Sequence, residues 1–225
     1  MPENKWTDVR MFFEKTGMAK FISHLDTVRC VTRAMKRANV PIWFTEGFNP
    51  HAFMSFAMPL SLGFESYCET VDFRLTEDVN LEELAEKLNN ALPVDITVKK
   101  IAIPQMSPND IRWAEYKIIF NNPDEILLKT AEKTLLSEEI IVEKKTKQGR
   151  KKVAKEVNIK EHIKSFELKN ENGKLVLKTV LSSGTSVNIN PMLLIGALVR
   201  STETDEQDVD IIKIQSYTEN MEEFK

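Results

Sequence analysis

Apolar and polar residues alternate over residues 6–15 and again over 67–75, and a period of two is typical of strands with one buried face. The apolar and aromatic stretch 40–45 predicts another strand, which resumes near residues 53–58. A further strand is predicted at 96–103. The N-terminal region therefore contains four predicted strands, one of them interrupted.

Two amphipathic helices separate these strands. The first begins after Ser23, a good N-cap, and its apolar residues recur at helical spacing to Met35, before Pro41 ends it. The second carries leucines at positions 81, 84, 88 and 92. The resulting order is strand, helix, strand, strand, helix, strand, which is that of a ferredoxin-like sandwich.

A similar order recurs after a predicted linker at residues 104–112. A strand at 113–120 precedes a helix that Asn122 is expected to cap, with Pro123 at its first position. Two hairpins, a second helix and a last strand follow, and the turns of the hairpins contain glycine.

The sequence thus predicts an α+β protein with two tandem ferredoxin-like (βαββαβ) units, at residues 1–104 and 112–218. The second unit carries an extra β-hairpin that turns at Gln148-Gly149. The polar residues 219–225 are expected to form a flexible tail.

The composition is that of an ordinary globular protein, with 225 residues, 42% hydrophobic and 29% charged. A net charge of −3 does not favour nucleic acid as a partner, so local clusters of charge have to carry any such function. Two widely spaced cysteines indicate a reducing compartment. Because no apolar run reaches membrane-spanning length, the sequence predicts a cytoplasmic protein without a membrane partner.

The first predicted helix carries a row of cations. Their spacing of three or four residues places them on one face, with Asp26 as the opposing acid. The row consists of Arg29, Arg33, Lys36 and Arg37. A solvated face is one interpretation, since cations near a helix C-terminus interact favourably with the dipole. The other is a phosphate site, because guanidinium groups present forked donors to anionic oxygens.

The loop after this helix contains Gly47, Phe48, Asn49, Pro50 and His51. In one interpretation Phe48 stacks on a nucleobase while Asn49 and His51 contact base edges or sugar hydroxyls. In the other, Phe48 and the later aromatic residues Phe53 and Phe56 close the end of the sheet.

A second basic cluster lies at the tip of the predicted extra hairpin. Its candidate nucleic-acid contacts are Lys145, Lys147, Arg150 and Lys151. Such a run is either a solvated, mobile tip or an arm that grips a phosphate backbone.

An acid–base or metal cluster is conceivable from His24, Asp26 and His51, together with Glu65, Glu69 or Asp72. However, the sequence contains no His-Glu-x-x-His, no Cys-x-x-Cys and no P-loop. It therefore predicts no metal and no cofactor, and enzymatic activity by this chain alone stays open.

Several motifs resemble the bacterial radical-SAM-linked protein family, a domain found alone or fused behind a radical S-adenosylmethionine domain. These motifs are FISHLD at 21–26, RAMKRA at 33–38, GFNPH at 47–51, SFA at 55–57 and PLSLG at 59–63, followed by Glu69 and Asp72. The similarity is dense over the first third of the chain. An arginine of a later family element is missing between Gly184 and Pro191.

The resemblance implies an accessory to a radical SAM enzyme, because this chain lacks the Cys-x-x-x-Cys-x-x-Cys that would hold an iron–sulfur cluster. Together with the basic row and the loop that contains Phe48, this leads us to expect an RNA-binding protein, for rRNA or tRNA, that recruits substrate for a modification or processing enzyme. One alternative is a catalytic module that acts on RNA or another phosphorylated substrate through His24 and His51. Another is an adaptor that docks a radical SAM enzyme through the surface from Phe48 to Leu62, without nucleic acid.

Overall fold

The computed structural model describes residues 6–148 and 151–225, and it describes side chains outside residues 145–154. The chain forms two compact units. The first contains Met1–Asp110 with Phe224–Lys225, and the second contains Ile111–Glu223. The described residues form four α-helices and ten strands, so the fold class is α+β.

The first unit contains four strands and two α-helices. They are β1 (Thr7–Lys15), α1 (His24–Arg37), β2 (Met54–Phe56), β3 (Glu65–Leu75), α2 (Leu81–Ala91) and β4 (Ile96–Ala102). The strands pair in the order β4-β1-β3-β2, and each neighbouring pair is antiparallel. A short 3-10 helix, Gly17–Phe21, leads from β1 towards α1.

The helices of this unit cover one face of its sheet. The core contains Met11 and Phe73 from the strands, Val31 and Met35 from α1, and Leu88 from α2, each at most 1% exposed. The Ser23 side chain accepts a hydrogen bond from the Asp26 amide and thereby caps α1. The sequence prediction of both helices therefore agrees with the structure.

The predicted strand at 40–45 is replaced by irregular chain with two isolated bridges, Ile42 to Leu75 and Phe44 to Ala52. Between them the chain leaves the edge of the sheet and returns, so residues 44–52 form a projecting loop that we call the finger. Pro41, near the start of the stretch 40–45, lacks a backbone donor, which limits ladder pairing there.

The second unit contains six strands and two α-helices. They are β5 (Trp113–Phe120), α3 (Glu125–Leu136), β6 (Ile141–Gln148), β7 (Lys151–Asn158), β8 (Ile163–Glu171), β9 (Lys174–Ser182), α4 (Pro191–Val199) and β10 (Val209–Tyr217). Strands β10, β5, β9 and β8 form one antiparallel sheet in that order. The extra hairpin, β6 and β7, forms a separate two-stranded sheet.

Helix α3 begins two residues later than the sequence predicts. Its N-cap is Asp124, whose carboxylate accepts hydrogen bonds from the amides of Leu127 and Glu203. Asn122 instead donates its side-chain amide to Asp208 at 2.6 Å. An aspartate at the cap accepts two amides at once, which explains why the helix starts there.

The C-terminal residues, for which the sequence predicts a flexible tail, make defined contacts. Phe224 is 6% exposed, and the Arg10 guanidinium lies 4.4 Å from the centre of its ring. The Arg10 side chain also donates to the Lys225 carbonyl at 2.9 Å. These residues belong to the first unit, although they are last in sequence.

Helices long and apolar enough to cross a membrane are absent from the described part of the chain.

Candidate nucleic-acid interface

All four cations predicted to form a row on α1 are exposed to solvent. Two of them are partly engaged: Arg29 pairs with Asp26 at 2.9 Å, and Arg37 donates to the Ala91 carbonyl at 2.6 Å. Arg33 and Lys36 have no hydrogen-bond or ion-pair partner among the described residues. The row therefore retains at least two cations with unused donors.

The three arginines of the row line two shallow depressions that share Arg37, whereas Lys36 lines neither of them. The first, about 470 Å³, follows α1 from Asp26 past Arg29 and Arg33. The second, about 420 Å³, continues across to α2, where Lys87 and Asn90 line it. We call the pair the basic groove.

Lys87 and Asn90 of the basic groove were not predicted as site residues from the sequence. They lie on a different helix from the cations of α1, and only the packing of α1 against α2 brings the two sets together. The leucine spacing of α2 could have shown that both residues face away from the core, although not what lies beside them.

Cys30 lies in the floor of the basic groove. Burial raises the pKa of its thiol, and the nearby Arg37 and Arg33 only partly oppose that shift. The thiol therefore stays protonated at neutral pH, where it acts as a small apolar contact rather than as a nucleophile.

Asp26 is the one acidic side chain that lines the groove within the described residues. Its pKa is lowered first by the hydrogen bond from the Ser23 hydroxyl and then by the hydrogen bond from Arg29. The carboxylate is therefore ionised at neutral pH and already bound to its neighbours. It subtracts from the positive potential at the start of the row and leaves the Arg33 end less affected.

The finger presents Phe48 at its tip with the ring fully exposed. Its base is ordered by the Thr45 amide, which donates to the His51 carbonyl, and by the Thr45 hydroxyl, 3.0 Å from His51 Nδ1. The same ring nitrogen lies 3.2 Å from the Asn49 carbonyl oxygen. His51 thus orders the loop. Because the Phe48 side chain is fully exposed, Phe48 does not close the end of the sheet, as the alternative interpretation expected.

The finger and the basic row are anchored on different faces of the sheet. Helix α1 packs with Phe73 and Leu75, so Arg74 between them extends from the opposite face. The rings of Trp43 and Phe53, which flank the finger, contact that Arg74 guanidinium. The finger and the cation row are therefore two separate surfaces and not one continuous surface.

The candidate catalytic residues do not assemble. The His24 ring packs edge-on against Phe56, 5.3 Å between centroids, whereas His51 belongs to the finger. The carboxylates proposed to join them have other partners: Glu65 with Lys20, Glu69 with Ser66, and Asp72 with Arg10. Within the described residues, no group of three potential ligands could hold a metal ion.

The second basic cluster, predicted at the tip of the extra hairpin, lies largely outside the described part of the chain. Arg150 lies outside the described residues, and so do the side chains of Lys145, Lys147 and Lys151. The described backbone pairs residues 141–148 with 151–158 in a regular antiparallel register, in which Lys147 and Lys151 belong to the last two described pairs.

Fold and surface together define an α+β protein with an exposed cationic groove on the helical side of its first unit. The chain belongs to the family described as "Uncharacterized protein conserved in bacteria (DUF2344)", whose model matches residues 9–191. The expected membership of a bacterial family is thereby confirmed, whereas the link to radical SAM enzymes stays a prediction. Among curated proteins, no match is found.

Two solved structures show distant similarity. One is the crystal structure of a Cbf5-Nop10-Gar1 complex, at 10% identity and a TM-score of 0.49, with 92% of this chain and 48% of that chain covered. The other is an unknown protein from Galdieria sulphuraria, at 15% identity and a TM-score of 0.27, with 92% and 96% covered. The chain thus spans about half the length of the first. At these TM-scores neither similarity supports a conclusion about function.

Proposed function

We propose that this chain is an RNA-binding accessory protein that recruits RNA, of the rRNA or tRNA class, to a modification or processing enzyme. The basic groove is the observation that carries this function. Arg29, Arg33 and Arg37 line its α1 side, and Lys87 extends it onto α2. Cations spaced one helical turn apart match the repeating charge of a phosphate backbone, which supplies most of the affinity of nucleic-acid complexes.

The finger supports the same function from a second position. The exposed Phe48 ring, which has no ring contact among the described residues, can stack on an unpaired base, which is worth about 1–3 kcal/mol per base. Asn49 lies beside Phe48 at the exposed tip, and His51, also exposed, lies at the base of the finger; both can present polar atoms to base edges or sugar hydroxyls. Because the groove and the finger are anchored on different faces, the RNA would contact them as two separate sites.

Each unit is proposed to be a ferredoxin-like domain. The strand order β4-β1-β3-β2 of the first unit, all antiparallel, is the order expected of a βαββαβ sandwich. The second unit repeats it as β10-β5-β9-β8, with β6 and β7 inserted after α3. We propose a radical SAM enzyme as the partner, on the family resemblance, in a cytoplasmic setting.

The proposal is tested by fluorescence anisotropy with a labelled single-stranded RNA of about twelve nucleotides, within the usual range of such sites. Titrations would run at several salt concentrations between about 0.05 and 0.2 M. Each phosphate contact with single-stranded RNA contributes about 0.7 to the slope of log K against log salt. The double variant Arg33→Gln/Lys36→Gln should therefore flatten the slope by about 1.4.

Lys133→Gln, an exposed cation in the last turn of α3, is the matched control and should leave the slope unchanged. An identical slope in the wild type and the double variant would contradict a phosphate-binding role for α1. RNA binding that is absent at the lowest salt would contradict the proposed function as a whole.

A protein adaptor is the second candidate, because large apolar side chains are exposed at both ends of the expected docking surface. Phe48 is fully exposed and Leu62 is 64% exposed. Capture of a radical SAM partner that is insensitive to salt, and that is lost in Phe48→Asp, would favour this alternative over RNA binding.

A further inference from the structure

A second cleft opens on the face of the first unit's sheet that the helices leave uncovered. It has a volume of about 680 Å³ and is built from β1, β2 and β3 on one side and from residues 103–109 on the other. Clefts of about 300–1,000 Å³ are the usual size for small-molecule sites. The cleft contains none of the residues of the basic groove.

Arg10 forms a fixed part of its floor. The side chain is 0% exposed, and its Nε and one terminal nitrogen donate to the two carboxylate oxygens of Asp72 at 2.6 and 2.8 Å. The other terminal nitrogen donates to the Lys225 carbonyl. With a hydrogen bond from each of its three nitrogens, Arg10 holds Asp72 in place, and because its side chain is fully buried it presents no exposed donor to a ligand.

Arg74, which also lines the cleft, is held differently. Its Nε donates to Asp8 at 2.9 Å, and its guanidinium carbon lies 4.3 Å from the ring centre of Phe53, 4.6 Å from Trp6 and 5.2 Å from Trp43. Its two terminal nitrogens have no acceptor among the described residues, and 26% of the side chain is exposed.

Three rings and one carboxylate thus fix the orientation of the Arg74 guanidinium, while its outer edge keeps unused donors. Such a group suits a phosphate or carboxylate, because both oxyanions accept two parallel hydrogen bonds from a guanidinium.

The remaining walls combine apolar surface with hydrogen-bonding groups. Phe53 lies on one side, and Ile103, Pro104 and Met106 lie on the other. Ser55, exposed on β2, stands opposite Asp72 in the strand register. A flat ring fits between apolar walls, and hydroxyl or amino groups of a ligand can donate to the Asp72 and Asp8 carboxylates.

We propose that this cleft binds a nucleotide, with the phosphate on Arg74, the base between Phe53 and the apolar wall, and the ribose hydroxyls towards Asp72 and Ser55. The same chemistry can come from a free nucleotide or from an unpaired nucleotide of an RNA. The RNA source rests on the proposed function, whereas the free-nucleotide source does not.

The test uses tryptophan fluorescence, because Trp6 and Trp43 contact the proposed phosphate-binding arginine. Adenosine 5′-monophosphate should change the emission in a saturable way. Inorganic phosphate and adenosine should each bind at least tenfold more weakly, since each retains only one half of the contacts.

Two variants change the cleft and keep a positive charge at position 74. Ser55→Tyr fills the cleft from an exposed position, and Arg74→Lys keeps the charge but loses the paired donors. Each should weaken binding of the nucleotide at least tenfold. Ser165→Tyr, an exposed serine on β8 of the second unit, is the matched control and should bind as the wild type does.

The variants also distinguish the two sources. If Ser55→Tyr weakens both the mononucleotide and the labelled single-stranded RNA, the cleft takes a nucleotide of RNA. If it weakens the mononucleotide alone, the ligand is free, and this result stands even where RNA binding by the basic groove fails. No saturable response to the mononucleotide, or equal affinity in the wild type and Ser55→Tyr, would overturn the proposal.

Discussion

Helices α1 and α3 have the same place in their units and different surfaces. Each is the first α-helix after the first strand of its unit, and each begins at a side-chain cap, Ser23 or Asp124. On α3 the charges are balanced, with Lys129 paired to Glu125 at 2.9 Å. On α1 four cations face one acid, Asp26.

The difference shows which part of a helix the fold constrains. Both helices bury an apolar stripe, Val31 and Met35 in α1 and Leu127 and Leu135 in α3, because the sheet must be covered. The outward face is free of that requirement. A row of like charge on that face costs some stability and is not required for folding. Its presence on α1 therefore indicates a function.

The largest expected change in stability comes from comparing substitutions in the first strand of each unit, β1 and β5. Arg10→Met should destabilise the first unit by about 3 kcal/mol, because it leaves the Asp72 carboxylate without its buried partner. Lys117→Met on β5, where the lysine is only half-buried, should stay within about 0.5 kcal/mol of the wild type. Urea denaturation measures both, and a loss below about 1 kcal/mol for Arg10→Met would contradict this account.

The helix caps should differ next. Ser23→Ala removes the acceptor for the Asp26 amide and the donor to the Asp26 carboxylate, and it should cost about 1 kcal/mol. Asp124→Ala removes acceptors for two amides, Leu127 and Glu203, and should cost more. Thermal denaturation compares the two variants, and equal losses would show that the contact to Glu203 adds nothing.

Within the α1 row, single substitutions should be graded by what each cation already contacts. Arg33→Gln should weaken RNA binding about threefold and flatten the salt slope by about 0.7, because Arg33 has no described partner. Arg29→Gln should have a smaller effect, since Arg29 is partly neutralised by Asp26. Lys129→Gln on α3 should have none. Anisotropy titrations of the three variants settle the order, and an effect of Lys129→Gln as large as that of Arg33→Gln would refute it.

The smallest effect is expected with acid. The pKa values of Asp124 and Asp26 both lie below their ordinary 3.8, lowered first by the hydrogen bond from the Leu127 amide and from the Ser23 hydroxyl, respectively. A carboxyl with a lowered pKa in the folded state stabilises above its unfolded pKa, and that contribution is lost as pH falls through the folded value. Thermal stability should therefore decline below about pH 4, less steeply in Asp124→Asn. A decline of the same slope in that variant would contradict the assignment.

Some of the misplaced sequence predictions have a common cause. The stretch 40–45 has strand composition, yet only Ile42 and Phe44 form bridges: the short β2 at Met54–Phe56 pairs with residues 71–73 of β3, and Ile42 bridges β3 at Leu75. The residues after Thr218 are polar apart from Met221 and Phe224, and composition alone could not show that Phe224 would lie against Arg10. In each case a contact with distant residues outweighed the local pattern.

The sequence by itself determined both amphipathic helices of the first unit, the cap at Ser23 and the exposed row from Arg29 to Arg37. These features depend on residues within one or two helical turns, so their spacing suffices. Only the tertiary structure decided that Lys87 extends the groove, that Arg10 binds Asp72 across 62 positions, and that three rings surround Arg74. Strand register and helix packing choose such partners, and the chain carries no local periodicity that announces them.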